Sequence, residues 1–361
     1  MAKQNILLIT VRADHGGGPR HVDLLINNIT SNYRIFVACP ADKPYFEEWK
    51  GNNVVEDIFL LPHRKFKSKY LIKLANYIAA NNITIVHSHG KGAGVYARLL
   101  KLFNANLKVI HTFHGVHTMN YGSAARKVYH VYERIANKLT DKFINVSYGE
   151  RDICLANKYL TLDKQVTIYN GVPDLAALDI EDDPSHKQKF RVVTLSRFDI
   201  QKNMHLAFEI AKLLQSNSGI EFLWVGDGED KEALEREAEK EGINNIIFTG
   251  FSKEPEVYLK SAHLYLSTSR WEGLPLALIE AASLSIPIVA TDVTGNNEVV
   301  QNGVNGYLYE PNSPAAAAKR ILDLSLDKGT YKSLAINSRT IYENYFTVDK
   351  MVASTEQVYN G

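Results

Sequence analysis

The sequence predicts an α/β chain of two doubly wound domains, each with a parallel sheet covered by helices on both faces. Three observations carry this expectation. Apolar strand-like runs alternate with helical patterns from residue 5 onward, the order that a parallel sheet with crossover helices requires. The alternation halts at a polar stretch, DIEDDPSHKQK (179–189), and starts again at residue 190, as at a boundary between domains. A length of 361 residues is enough for two separate cores.

In chain order, NILLITV (5–11) reads as a buried strand, followed by a glycine turn that opens a helix in GGGPRHVDLLINNI. Strand-like runs recur at 34–39, 56–61, 83–87, 108–112 and 143–147, with helical patterns at 68–81, 91–103 and 123–140. The run IYNGVPD (168–174) closes this unit. The second unit reads as strands at 190–197, 220–228, 245–250, 263–268 and 286–291, with helices at 203–216, 229–241, 275–284 and 314–326. The segment from about 331 to 358 reads as one amphipathic helix. The first domain is therefore expected at 1–175, joined by a terminal helix of about 341–361, and the second at 188–340. A cleft between them is expected, with ligands outside the carboxyl ends of the strands.

Hydrophobic content of 45% and charged content of 22% are ordinary for a globular protein;. The net charge of +1 conceals an asymmetry: residues 1–180 carry 23 Lys+Arg against 14 Asp+Glu, and residues 181–361 carry 18 against 26. The first half is thus expected to face something anionic, with no nucleic-acid partner. Cys39 and Cys154 sit in apolar surroundings without metal-ligand spacing and read as buried free thiols. The start, MAKQNILLITV, is too short and too soon polar for a signal peptide;, and no apolar run approaches the length of a membrane span. A cytoplasmic protein is expected, or one held peripherally on the cytosolic face of a membrane.

The stretch RWEGLPLALIEAASLSIPIVATDVTGNNE (270–298) organises the second domain. Gly273 admits close approach of a ligand, and Pro275 suits a first helical turn. Gly273, Leu274, Pro275 and Leu276 stand at a helix start whose N–H groups and dipole favour an anion. The helix reads as apolar almost all round and therefore buried, which makes Glu280 a carboxylate in need of partners. Five residues separate Pro275 from Glu280, about 7.5 Å along a helix axis. One ligand can then offer a phosphate to the helix start and hydroxyls to Glu280.

Other constellations accompany it. Gly16, Gly17 and Gly18 follow a strand and open a helix, where backbone N–H groups meet phosphate, although the spacing is not G-x-G-x-x-G. In LSRFDIQKN, Arg197 ends a strand and Lys202 follows five residues later, two cations placed to converge on a diphosphate. His87 and His89 end one strand, and His111 and His114 flank the end of the next, in HTFHG. Zinc spacing such as H-E-x-x-H is absent, so no metal is expected. In LPHRKFKSKYLIKLANYI (61–78), Arg64, Lys65, Lys67, Lys69 and Lys73 interleave with Phe66, Tyr70, Leu71 and Ile72, a basic amphipathic surface suited to anionic lipid.

Together these residues resemble the retaining, GT-B type glycosyltransferases of family 4, which use nucleotide sugars. The resemblance spans nearly the whole chain: GG-x-x-x-H (Gly16, Gly17, His21), HTFHG, the NGV at 170–172, SRFDIQKN, VGDG at 225–228, TGF at 249–251 and E-x7-E from Glu272 to Glu280. It implies two Rossmann-like domains facing across a cleft, with the terminal helix crossing back onto the first. It further implies that Arg197 and Lys202 bind the donor diphosphate with the N–H groups near Gly273, Leu274 and Pro275, and that Glu280 holds the ribose hydroxyls. By the same resemblance, Glu272 lies near the transferred sugar, His114 beside its hydroxyls, Phe251 at the border of the base and the Gly16–Gly17 turn over the phosphates. Pro19 and the third glycine depart from that pattern on the acceptor side.

The implied activity is metal-independent transfer from a UDP-sugar to a hydroxyl of a glycan or lipid-linked glycan, in surface polysaccharide or lipopolysaccharide synthesis. No cofactor is expected beyond the donor itself. Competing readings are a nucleotide-sugar epimerase or hydrolase on the same scaffold and a two-domain ligand-binding protein. The first would release no transfer product, and the second would not need Arg197, Lys202 and Glu272 together.

Overall fold

The computed structural model of the protein describes residues 3–116, 122–177 and 189–361. The expected linker falls outside these, apart from Lys189. The chain divides into two compact units: Met1–Asn170 with Val348–Gly361, and Gly171–Thr347.

The first unit runs β1 (Gln4–Thr10), α1 (Gly17–Asn28), β2 (Tyr33–Cys39), α2 (Tyr45–Gly51), β3 (Val55–Leu60), α3 (Ser68–Ala80), β4 (Ile85–His89), α4 (Lys91–Leu100), β5 (Lys108–Thr112), α5 (Ser123–Ala136), β6 (Lys142–Asn145), α6 (Tyr148–Ala156) and β7 (Gln165–Thr167). Its seven strands are parallel in the order 3-2-1-4-5-6-7. The central strands alternate between two cores, because successive side chains leave a strand on opposite faces. Ile6 and Leu8 pack on one face, and Leu7 and Ile9 on the other.

The second unit runs β8 (Phe190–Leu195), α7 (Met204–Leu213), β9 (Ile220–Val225), α8 (Lys231–Glu241), β10 (Ile246–Gly250), α9 (Pro255–Lys260), β11 (Leu264–Ser267), α10 (Leu276–Ser283), β12 (Ile288–Thr291), α11 (Asn296–Val299), β13 (Gly306–Tyr309), α12 (Pro314–Leu326) and α13 (Lys328–Tyr345). Its six parallel strands lie in the order 10-9-8-11-12-13. Both sheets therefore reverse their winding once, between β1 and β4 and between β8 and β11. At such a switch point neighbouring loops part and leave room for a ligand beyond the strand ends.

The segment expected as one terminal helix is two. After α13 the buried Phe346 and the bridge from Thr347 to Val172 interrupt it, and α14 (Val348–Asn360) then joins the core of the first unit. Val348, Met351, Val352 and Tyr359 pack there beside Ile6, Leu8 and Val22. Lys108 Nζ donates to the carbonyls of Val358 and Tyr359, at 2.8 and 3.1 Å, placing a cation at the negative end of that helix. In the second unit, Arg339 grips both carboxylate oxygens of Asp174 at 2.6 and 2.5 Å, a fork that fixes the segment after NGV to α13. Among the described residues, no helix is long and apolar enough to cross a membrane.

Candidate donor and sugar site

The loops at the switch point of the second sheet hold the SRFDIQKN and E-x7-E residues side by side. Arg197 lies just past β8, and its Nε donates to Asp199 Oδ2 at 2.7 Å while its Nη2 donates to Gln201 Oε1 at 3.1 Å. Lys202 Nζ donates to Glu272 Oε1 at 2.6 Å. Ser269 Oγ donates to that same oxygen at 2.7 Å, and Gln201 Nε2 donates to Oε2 at 3.4 Å and to the Trp271 carbonyl at 3.1 Å. The two cations thus each rest on a carboxylate of their own unit. Glu272, expected only near the sugar, is also the partner of Lys202. Asp199 and Gln201 hold these candidate residues and were not singled out by the sequence, although both lie inside the SRFDIQKN motif.

This loop is held from beneath by VGDG. Ser196 N donates to the Val225 carbonyl and Phe198 N to that of Asp227, both at 2.9 Å. A Cβ on Gly226, whose φ is 140°, would lie 1.9 Å from the Ser196 carbonyl oxygen, closer than any two such atoms can stand. Gly226 N in turn donates to the Gly250 carbonyl at 2.8 Å, which brings TGF to the same end of the sheet. Phe251 presents half its surface there.

The start of α10 differs from the sequence expectation. Pro275 is the residue before the helix, with φ −74° and ψ 120°, and no side chain caps the start, so the first-turn N–H groups are left for a ligand or water. Nor is the helix buried all round: Leu278, Ile279, Ala281 and Ala282 are buried, while Leu276, Ala277 and Glu280 are half-exposed. Spacings of one, three and four residues put those three on one face. Glu280 stands on the open side of the helix and not within its packing. A small pocket before this face is lined by Ser196, Lys202, Thr268, Ser269, Pro275 and Ala277, among others.

In the first unit, Gly16 precedes α1 with φ 153°, and a Cβ there would meet Arg12 Nη2 at 2.9 Å. Arg12 itself donates to Asp14 at 2.7 Å and to the His15 carbonyl at 2.9 Å, a cation in the turn that the sequence reading passed over. The register pairs Leu8 with His87, Thr10 with His89 and Ser88 with His111, so His87 and His89 share one face of the sheet and His111 lies on the other. His114 adopts φ 60°, a costly conformation for a side chain of its kind. Its Nε2 lies 3.0 Å from His89 Nδ1, and its ring meets that of His21 edge-on at 4.6 Å.

Burial pushes the imidazoles of His87, His89, His111 and His114 well below their ordinary range and that of His21 down to about 4. A histidine that stays neutral when folded makes stability fall with acid, because the unfolded chain takes up protons that the folded one refuses. The contribution of His21 is complete above pH 6.5 and is lost as pH falls toward 4, worth up to about 3 kcal/mol at 1.36 kcal/mol per unit. The thermal midpoint should therefore drop steadily from pH 7 to pH 4.5 in a scanning experiment, and a flat profile would contradict this.

Comparisons with known proteins bear on the family and the fold. Residues 15–174 match the model of Glycosyltransferase Family 4, and residues 177–341 match that of Glycosyl transferases group 1. The chain is similar to the UDP-Gal:alpha-D-GlcNAc-diphosphoundecaprenol alpha-1,3-galactosyltransferase of Escherichia coli, at 27% identity over 81% of this chain and 79% of that one. It is similar also to the O-antigen biosynthesis glycosyltransferase WbnH of Escherichia coli, at 26% identity over 97% and 99%. Among solved structures, Anabaena Alr3699/HepE in complex with UDP and glucose shares the fold, with a TM-score of 0.83 at 18% identity and 99% coverage of both chains. With family models matching in both halves and the architecture shared from end to end, the chain belongs to the GT-B glycosyltransferases of family 4.

Proposed function

We propose that this glycosyltransferase moves a sugar from a UDP-sugar to a hydroxyl of a glycan or lipid-linked glycan in bacterial surface polysaccharide synthesis, with retention of configuration and without a catalytic metal. The observation that carries the reading is the pairing of Lys202 with Glu272 beside the uncapped start of α10. In the proposed reaction the bond between the anomeric carbon and the diphosphate breaks, and negative charge gathers on the leaving oxygen. Lys202, Arg197 and the N–H groups around Gly273, Leu274 and Leu276 stabilise that charge at fixed positions. Diphosphate draws Lys202 from Glu272, whose carboxylate then faces the sugar. The acceptor oxygen attacks from the leaving-group side and its proton passes to the departing phosphate.

Glu280 takes the ribose hydroxyls from the open face of α10, a little over one turn beyond the phosphates. Phe251 borders the base, Gly16 and Gly17 close over the phosphates and His114 hydrogen-bonds the transferred sugar. The names of the relatives support this choice of donor and acceptor: one is a UDP-Gal galactosyltransferase acting on a diphosphoundecaprenol-linked sugar, and HepE was solved with UDP and glucose. A thermal-shift screen of UDP- and GDP-sugars tests the donor. Stabilisation by UDP-sugars alone is expected, and stabilisation by GDP-sugars alone would overturn it.

The reading includes peripheral attachment to an anionic membrane. Arg64, Lys65, Lys67, Lys69 and Lys73 are all exposed, as are Phe66 and Ile72 between them, so the basic segment offers both charge and apolar surface. Salt-sensitive binding to phosphatidylglycerol liposomes should weaken when Lys65, Lys67 and Lys69 become Ala. Absence of binding at low salt would remove this part.

A further inference from the structure

The histidines of the first unit fall into two kinds. His87 is satisfied on both nitrogens, by the Tyr359 hydroxyl at 2.7 Å and Thr112 Oγ1 at 2.8 Å, and His111 faces Ser88 Oγ at 2.9 Å through Nδ1, away from the other histidine rings' nitrogens, while its Nε2 is buried without a hydrogen-bond partner. His21, His89 and His114 instead turn toward one another, with one ring nitrogen of each within 4.8 Å of the other two. His21 and His89 are 2% and 3% exposed, and His89 Nε2 is buried without a hydrogen-bond partner. Three imidazoles that converge nitrogen to nitrogen, with no carboxylate or carbonyl between them, are more than core packing requires;.

We infer that His21, His89 and His114 form a binding site for one divalent metal ion of the zinc class. Zinc binds imidazole nitrogen at about 2.0–2.1 Å, which in a tetrahedron sets the nitrogens roughly 3.3 Å apart. His89 Nδ1 and His114 Nε2 stand at 3.0 Å, so those two need only a few tenths of an ångström, and the third nitrogen needs a shift of the order of 1 Å. His21 is already oriented as metal-bound histidines are. Its Nδ1 faces the Asn170 Oδ1 at 3.0 Å, and since that oxygen only accepts, Nδ1 carries the proton and Nε2 keeps its lone pair. The group contains no carboxylate, which favours zinc, nickel or copper over magnesium, calcium or manganese. The half-exposed His114 leaves the fourth position to water. Linear spacing gave no sign of this site because the sheet, not the sequence, brings the three residues together.

Occupancy takes the His114 nitrogen that the proposed reaction offers to the sugar, so the metal inhibits transfer. That consequence rests on the proposed function; the binding itself does not. The untagged, EDTA-treated chain is titrated with Co2+ and then Zn2+. One Co2+ per chain is expected, with the visible bands of a tetrahedral nitrogen site, displaced by one equivalent of Zn2+. His114→Ala and His89→Gln should each weaken Zn2+ binding by about a hundredfold or more, and Asn170→Ala by about tenfold to a hundredfold. His205→Ala, at an exposed position of the second unit, should leave binding unchanged. If His89→Gln fails to fold, by circular dichroism, the half-exposed His114→Ala carries the test. Absence of the Co2+ bands, or bands that persist in His114→Ala, would overturn the site. If Zn2+ binds and transfer continues, the inhibitory role is overturned and the site stands. If no transfer occurs under any condition, the proposed function fails while the Co2+ spectrum still decides the site.

Discussion

Lys202→Ala should lower the turnover of sugar transfer by about 100- to 1000-fold, the cost of removing one preorganised partner of a developing anion. Its thermal midpoint should stay close to that of the unaltered chain. The two outcomes separate because of how Lys202 is held. Glu272 keeps its bonds from Ser269 and Gln201 when the lysine is gone, so no buried charge is left bare, and the Lys202 side chain is itself 21% exposed. Steady-state kinetics at saturating donor reads the effect. A fall in kcat and in kcat/KM together marks an interaction made in the transition state, whereas a rise in KM alone marks binding of donor only. Near-normal turnover would refute the role of Lys202 at the phosphates.

Gly226→Ala should be the most damaging small change in the second unit. The added methyl would sit 1.9 Å from the Ser196 carbonyl oxygen, at a φ of 140°, so the loop carrying Arg197 has to move. Forced backbone conformations of this kind cost about 1–3 kcal/mol before the clash is counted, and a total near 4 kcal/mol lowers the midpoint of a unit this size by roughly 10 °C. Calorimetry checks the shift, with Gly242→Ala as the comparison. Gly242 ends α8 with φ 67° and open space around it, so it should lose only about 1 kcal/mol. Equal shifts in the two variants would contradict the clash. Gly226→Ala should also lose donor binding, since VGDG supports SRFDIQKN directly.

The alternation of strands and helices was legible because central strands such as β1, β11 and β12 are short, mainly apolar runs buried on both faces. What escaped lies at the edges. β7 (QVT) and β13 (GYLY) end their sheets and are half-exposed, so neither shows the continuous apolar run by which a strand is recognised. The short α2, α9 and α11 carry too few turns to show a period. α10 misled in the other direction, because alanine and leucine on its open face look the same in sequence as those on its packed one. The final helix was read as one because its apolar period continues past Phe346, while the break is set by pairing of Thr347 with Val172.

The residues of the candidate site stand out by type and spacing, and the partners that hold them do not. Nothing in the spacing of Arg197 and Lys202 announces that Asp199 and Glu272 hold them, since those bonds depend on how the loop after β8 meets the loop after β11. The meeting of His21, His89 and His114 likewise depends on β1 lying beside β4 and on the positive φ at His114.

The most direct test of the central claim is the anomeric configuration of the product. Purified protein is incubated with a UDP-α-sugar that stabilises it and with a diphosphoundecaprenol-linked sugar acceptor, and the new linkage is examined by proton NMR. The account predicts an α linkage formed in EDTA. A β linkage would contradict retention, and free sugar without any transfer product would contradict glycosyl transfer itself.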